Sequence, residues 1–170
     1  MRRNSILFLV GFFSVLMGGC QGEEYSIELE PSGTKVMKGH IVREDLEAEP
    51  TFLWFNMNYK MYTPDSATVV RLKPLMEDIH FFVIVGTWCS DSKREIPRLW
   101  KLCDALGIPE KNITMYAVDR AKRSEDGSTE KFNIYRIPTI IVFKNHREMG
   151  RIVEQPRTTI EADLLNILQP

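Results

Sequence analysis

The chain has 170 residues, 44% of them hydrophobic and 26% charged, with 22 basic residues against 23 acidic ones. That length suits one domain with a full core, and the near-neutral balance offers no basic surface for nucleic acid. Three cysteines are too few for a disulfide framework, so the core must hold without covalent staples.

In chain order, Arg2 and Arg3 make a short basic start. Ile6 to Met17 is an apolar run broken only by Gly11 and Ser14, and Gly18-Gly19-Cys20 follows. A basic start, an apolar stretch of about 7–15 residues and a small-residue site form a secretory signal. A membrane span needs about 20 apolar residues, which this run lacks. Residues 1–19 therefore read as a signal peptide and 20–24 as an exposed tether. With its cysteine directly after two glycines, the segment resembles a bacterial lipoprotein signal. That resemblance implies cleavage before Cys20, acylation of its thiol, and contact with the membrane through the lipid anchor only. The other reading is an ordinary signal peptide with an incidental Cys20. The expected location is the cell envelope, periplasmic or on the outer surface. Removing Arg2 and Arg3 leaves 20 basic residues against 23 acidic, and nucleic acid is not an expected partner.

Residues 25–65 read as an N-terminal extension packed on the main domain. Tyr25 to Leu29 alternates apolar and polar side chains, as a strand does, and Pro31-Ser32-Gly33 reads as a turn. Phe52, Phe55, Tyr59 and Tyr62 fall on one helical face, a stripe expected to be buried against the sheet. Thr63-Pro64-Asp65 offers a break and a helix start. The main domain, 66–170, opens with Val69, Val70 and Leu72 on a half-buried helix that Pro74 should end or kink.

The periodicity then changes. Phe81 to Val85 is a continuous apolar run, as in strands covered on both faces. Cys89 to Leu106 reads as a helix with Ile96, Leu99, Trp100, Cys103 and Leu106 inward and Pro97 as a kink. Ile113 to Val118 is a second strand. Arg120 to Glu130 is expected to be an exposed loop or frayed helix. Thr139 to Phe143 is a third strand, Lys144 to Glu148 a turn, and Arg151 to Glu154 a fourth strand. Thr158-Thr159-Ile160-Glu161 has capping-box spacing before a last helix. A strand–helix–strand unit implies a parallel pair, and the short turn implies an antiparallel one. The expected class is α/β, a central mixed β-sheet flanked by helices on both faces.

Trp88-Cys89-Ser90-Asp91-Ser92 lies between a buried strand and a helix. A cysteine there meets unpaired N–H groups and a dipole worth about 1 kcal/mol, which favour the reactive thiolate. Ser92, one turn on, is placed to donate its hydroxyl proton to the sulfur. Lys93 and Arg94 add positive charge, and Asp91 opposes them.

Trp88-Cys89-x-x-Ser92 after an apolar strand resembles the thioredoxin motif Trp-Cys-x-x-Cys. Phe132-Asn133-Ile134-Tyr135-Arg136-Ile137-Pro138-Thr139 is similar to the thioredoxin segment leading into its cis-proline. Phe143-Lys144-Asn145 with Glu148 also matches, and the likeness covers about residues 66–168. It implies a thioredoxin-like three-layer sandwich in which Pro138 is cis and faces Cys89. It also implies that the Ile137 backbone pairs with a substrate segment and that Trp88 lies beside it.

Two positions depart from that family. Serine stands at 92, where the resolving cysteine of a dithiol enzyme attacks the mixed disulfide. Cys103 is no substitute. It lies 14 residues further along the helix, about 21 Å at 1.5 Å per residue, whereas disulfide Cα atoms lie within about 7 Å. Cys103 reads as a core side chain. Val83 occupies the place of the family's buried acid.

The expected function is thiol-disulfide exchange through the single nucleophile Cys89, of monothiol reductase or isomerase type, with Ser92 as the second catalytic residue and Trp88, Ile137 and Pro138 as the substrate-binding residues. Its partners would be protein or small-molecule disulfides and an external resolving thiol. A non-catalytic binding or scaffolding module is the alternative. A peroxidase fits less well, because Gly86 stands three residues before the nucleophile where those enzymes carry Thr. No cofactor is called for, and His40, His80 and His146 lack metal-ligand spacing.

Overall fold

The computed structural model describes residues 25–169. The signal peptide, the tether and the Cys20 lipidation site lie outside the described residues. Six strands form one sheet in the order β1-β2-β4-β3-β5-β6. They are β1 Tyr25–Leu29, β2 Lys35–Ile41, β3 Ile79–Val85, β4 Ile113–Ala117, β5 Thr139–Lys144 and β6 Arg147–Val153. Only β3 and β4 run parallel, with Val83 opposite Met115, and the other pairings are antiparallel. The helices are α1 Arg43–Ala48, α2 Leu53–Met61, α3 Ser66–Leu72, α4 Ser90–Leu106, α5 Ser128–Lys131 and α6 Ile160–Leu168.

The centre of the sheet is the apolar run of β3. Phe81, Val83 and Val85 point to a large core shared with α2, α3, α4 and α6. Ile84, with Phe82 packed beside it, points to a smaller cluster with Val118, Ile134, Ile137 and Ile141. Alternate residues thus face opposite layers, which is why the run has no polar member except His80 near its start. The layers are unequal. The second face is covered by the four-residue α5 and the chain after it, with Phe132 against Phe82 and Phe143.

The N-terminal hairpin is continuous with this sheet through β2, whose Gly39 to Ile41 pair with β4. The alternation in Tyr25–Leu29 does form β1, and Gly33 closes the turn at φ +82°. The sequence reading missed β2. Its Lys-Val-Met-Lys-Gly-His-Ile pattern is not a clean alternation, and two adjacent residues, Val36 and Met37, are buried.

Several local expectations need correction. Phe52 and Tyr62 cap α2 from outside it, although Phe52 and Phe55 are buried as expected. Val70 is exposed on α3, because Val69 and Leu72 take its inward stripe. The helix does end ahead of Pro74, as expected, and Pro74 itself lies in a one-turn 3-10 helix, Lys73–Leu75. The turn between β5 and β6 is only Asn145-His146, both at positive φ as a type I′ hairpin requires, so β6 begins at Arg147. The cap of α6 is Thr159, whose side chain accepts from Ala162 N–H, and Thr158 is not part of it. Glu161 turns inward instead, accepting from Tyr62 Oη at 2.5 Å and Asp65 N–H at 3.0 Å. Within the charged loop, Ser128 and Thr129 are buried, which its composition hides.

Candidate active site

The site forms where β3 ends and α4 begins. Gly86 sits in the crowded turn between them. A Cβ there would lie 2.6 Å from Ile137 Cδ1 and 3.0 Å from the Trp88 indole, so only glycine lets the cis-proline segment approach. Cys89 is the N-cap of α4, extended at φ −83° and ψ 129°, and is half-buried. Its carbonyl accepts from Lys93 N–H at 3.0 Å, and its N–H donates to the Gly86 carbonyl at 2.9 Å. The thiol therefore stands at the open first turn of a 17-residue helix, as the motif implied.

Facing it is the Ile137-Pro138 peptide, which is cis. The Cys89 thiol donates to the Ile137 carbonyl oxygen at 3.6 Å. Thr139 Oγ1 donates to the Arg136 carbonyl at 2.6 Å, and Glu154 N–H donates to the Pro138 carbonyl at 2.7 Å, so both flanks of the bend are held. Trp88 packs against the smaller core, and its indole N–H donates to the Val118 carbonyl at 3.0 Å. Trp88, Cys89, Ile137 and Pro138, assembled from two distant stretches of sequence, thus meet at one place.

Ser92 is fully buried, and its Oγ accepts from the Gly86 backbone N–H at 3.2 Å. The bond expected from Ser92 to the sulfur is not made among the described residues, because Sγ is turned to the Ile137 carbonyl instead. Ser92 ties the first turn of α4 to the turn that precedes Cys89. Asp91 is held by Arg94 Nη2 at 2.8 Å, and Arg94 also binds Glu95.

Cys103 is enclosed in the main core, as expected of a structural thiol, and burial pushes its ionisation far above the ordinary thiol range. Val83, six residues before Cys89, is fully buried, and its apolar side chain stands where the resemblance would put an acid. A buried acid does occur on α4. Glu95 Oε1 accepts from Arg94 at 2.5 Å and from Arg98 at 3.4 Å, while Oε2 has no partner among the described residues. The sequence reading missed Glu95. Its spacing from Ser92 and Leu99, three and four residues, was the signal that placed it on the inward stripe.

Thr87 and Arg120 were also missed. Thr87 is fully buried, its Oγ1 accepting from Met37 N–H at 3.0 Å and donating to the Lys35 carbonyl at 3.3 Å. Arg120 lies with its guanidinium carbon 4.7 Å from the centroid of the Trp88 ring. His80 and His146 line a cavity of about 540 Å³ at the opposite end of β3 from Cys89, and His40 lines another cleft. Among the described residues no group of His, Cys, Asp and Glu is placed to hold a metal, and no helix is long and apolar enough to cross a membrane.

A family model described as Thioredoxin matches residues 75–166. That is more than half of the chain, which therefore belongs to the thioredoxin family. Among solved structures it is similar to a protein of unknown function from Pseudomonas aeruginosa, with a TM-score of 0.57 and 16% identity over 76% of this chain and 92% of that one. It is also similar to an HIV epitope-scaffold, with a TM-score of 0.58 and 16% identity over 76% of this chain and 93% of the other. At such identities these two similarities speak to the fold alone. Mitochondrial thioredoxin 3 of Saccharomyces cerevisiae also aligns, at 20% identity over 66% of this chain and 97% of its own, with a TM-score of 0.39. No match to the chain was found among curated proteins. The family and the mixed six-stranded sheet with flanking helices together define a thioredoxin-like α/β protein, of a kind that points to thiol-disulfide redox chemistry.

Proposed function

We propose that this protein exchanges thiols and disulfides through Cys89 alone and works in the bacterial cell envelope. The observation that carries the reading is the placement of Cys89. A half-buried thiol caps α4 and faces the cis Ile137-Pro138 peptide, with serine at 92. The Cys89 thiolate attacks one sulfur of a substrate disulfide. A new Cys89–substrate disulfide forms, the substrate S–S bond breaks, and the other substrate sulfur leaves as a thiolate. An external thiol, as its thiolate, then attacks the substrate sulfur of that adduct. It takes the substrate into a new disulfide and returns the electron pair of the broken bond to Cys89. Ser92 cannot perform this second attack, and Cys103 is enclosed elsewhere. Trp88, Ile137 and Pro138 form the wall along which the substrate segment lies.

The envelope part of the reading rests on residues 1–24, with Cys20 as the acylated first residue of the mature chain. Its test is mass spectrometry of the membrane-extracted protein, where an acylated N-terminal Cys20 is expected and a free Cys20 thiol contradicts it. The reaction is tested by turnover of a glutathionylated peptide in the presence of excess external thiol. Wild type should turn over and Cys89→Ala should not. Equal rates would reject the reaction, and equal capture of partners by both would favour a scaffolding role.

A further inference from the structure

The β1–β2 hairpin lies wholly before residue 75, where the family model begins to match, yet it touches the nucleophile's turn twice. The first contact follows from register. β2 pairs with β4 only from Gly39 to Ile41, so the backbone of Lys35 to Met37 lacks a strand neighbour on that side. Thr87 fills the gap, taking the Met37 N–H and giving its hydroxyl proton to the Lys35 carbonyl. Thr87 is two residues before Cys89, so the free part of β2 holds the turn directly.

The second contact runs through side chains. Glu30, the residue after β1, accepts from Arg120 Nε at 2.6 Å and Nη2 at 2.8 Å, a two-pronged pair. The same guanidinium covers the Trp88 ring at 4.7 Å. Arginine suits both tasks because its planar fork can bind a carboxylate along one edge while its face stacks on an aromatic ring. The Val118 carbonyl holds the indole N–H of the same ring. Trp88 is thereby fixed from two directions, and it adjoins Cys89 in the chain.

β1 itself is an edge strand with all five side chains exposed. β2 is anchored in the main core by Met37 and Ile41, but β1 and Glu30 beyond it contribute nothing to that core, and the contact that Glu30 makes is with the arginine over Trp88. We propose that Arg120 is a positioning residue of this site, and that Glu30 on the N-terminal hairpin sets the place of Trp88 beside Cys89 through it. The proposal deepens the thiol-exchange reading and rests on it for substrate turnover, but the placement of Cys89 can be read without turnover.

The experiment uses the full chain as wild type, Glu30→Gln, Arg120→Ala and Arg120→Lys. Thr159→Ala serves as a destabilised control remote from the site. Three quantities are read: exchange with a glutathionylated peptide, the rate of Cys89 alkylation by iodoacetamide, and Trp88 emission taken as the difference from Trp88→Phe. Arg120→Ala should shift Trp88 emission to the red, change the alkylation rate, and lower kcat/KM on the order of tenfold. Arg120→Lys keeps the charge but not the fork and should recover only part of this. Glu30→Gln should fall between wild type and Arg120→Ala, and Thr159→Ala should match wild type in both rates. Alkylation and exchange rates within about twofold of wild type in both Arg120→Ala and Glu30→Gln would overturn the proposal, as would equal losses in Thr159→Ala. Absence of exchange in wild type would refute the thiol-exchange reading, and the alkylation rates would still decide the positioning role.

Discussion

Cys89 stands half-buried where α4 begins, whereas Cys103 is enclosed about four turns further along the same helix. One residue type thus serves two purposes, set apart by burial. The turn before Cys89 is as constrained as the thiol itself. Gly86→Ala would drive a methyl into Ile137 and the Trp88 indole. The expected result is a loss of about 1–3 kcal/mol from overpacking, read by denaturant unfolding, together with a marked fall in exchange rate. Unchanged stability would mean that the cis-proline segment gives way more easily than its packing implies. Glu30 supplies a pH test of the neighbouring contact. The hydrogen bond from Arg120 holds its carboxyl below its ordinary value near 4.5. A depressed folded-state value contributes stability above the unfolded value and loses it as pH falls through the folded one. Glu30→Gln should therefore lower Tm at pH 7, and the difference from wild type should shrink toward pH 3. An equal difference at both pH values would contradict the ion pair's role.

At the scale of elements, the sequence was most legible where one physical requirement dominates. The run at β3 is apolar because both faces are covered, and the inward stripe of α4 is buried at Ile96, Leu99, Trp100, Cys103 and Leu106 as its period predicts. Legibility failed where a residue answers to a distant partner. Glu161 has the spacing of a capping glutamate, but it is buried and binds Tyr62 and the backbone of Asp65. Those partners lie nearly a hundred residues away in the chain, beyond the reach of any local pattern. The same bond makes a prediction about how α6 is held to the end of α2. Burial, then the bond to Glu161, pushes the Tyr62 phenol above its usual range, so the hydroxyl stays protonated as a donor. Tyr62→Phe would leave Glu161 Oε2 without that donor in the interior. The expected cost is about 1–3 kcal/mol by denaturant unfolding, and a change below about 0.5 kcal/mol would show that the bond contributes little. β2 escaped notice for a related reason. Its edge is paired by β4 at one end and by Thr87 at the other, and its buried residues do not follow a simple alternation.

Across the whole molecule, two short motifs far apart in sequence predicted one meeting point, and the fold brings them together. Trp88-Cys89 arrives from β3 and α4, and Ile137-Pro138 from the chain entering β5, with a thiol-to-carbonyl contact between them. What the motifs could not convey was the frame around that point. Thr87 and Arg120 tie it to an N-terminal hairpin with no counterpart in the motif pattern, through the backbone of β2 and through Glu30, and Ser92 serves the backbone of Gly86 instead of the sulfur. Among the described residues the fold therefore packs Cys89 closely at the start of α4 and encloses the other thiol, Cys103, in the main core away from it. The most direct measurement is a single-turnover reaction of the protein with a mixed-disulfide peptide, followed by intact-mass and peptide mass spectrometry. One peptide-sized adduct should appear on Cys89, persist in the absence of other thiols, and disappear when an external thiol is added. No adduct on Cys89, or an adduct that the chain clears by itself through a Cys89–Cys103 disulfide, would contradict this account.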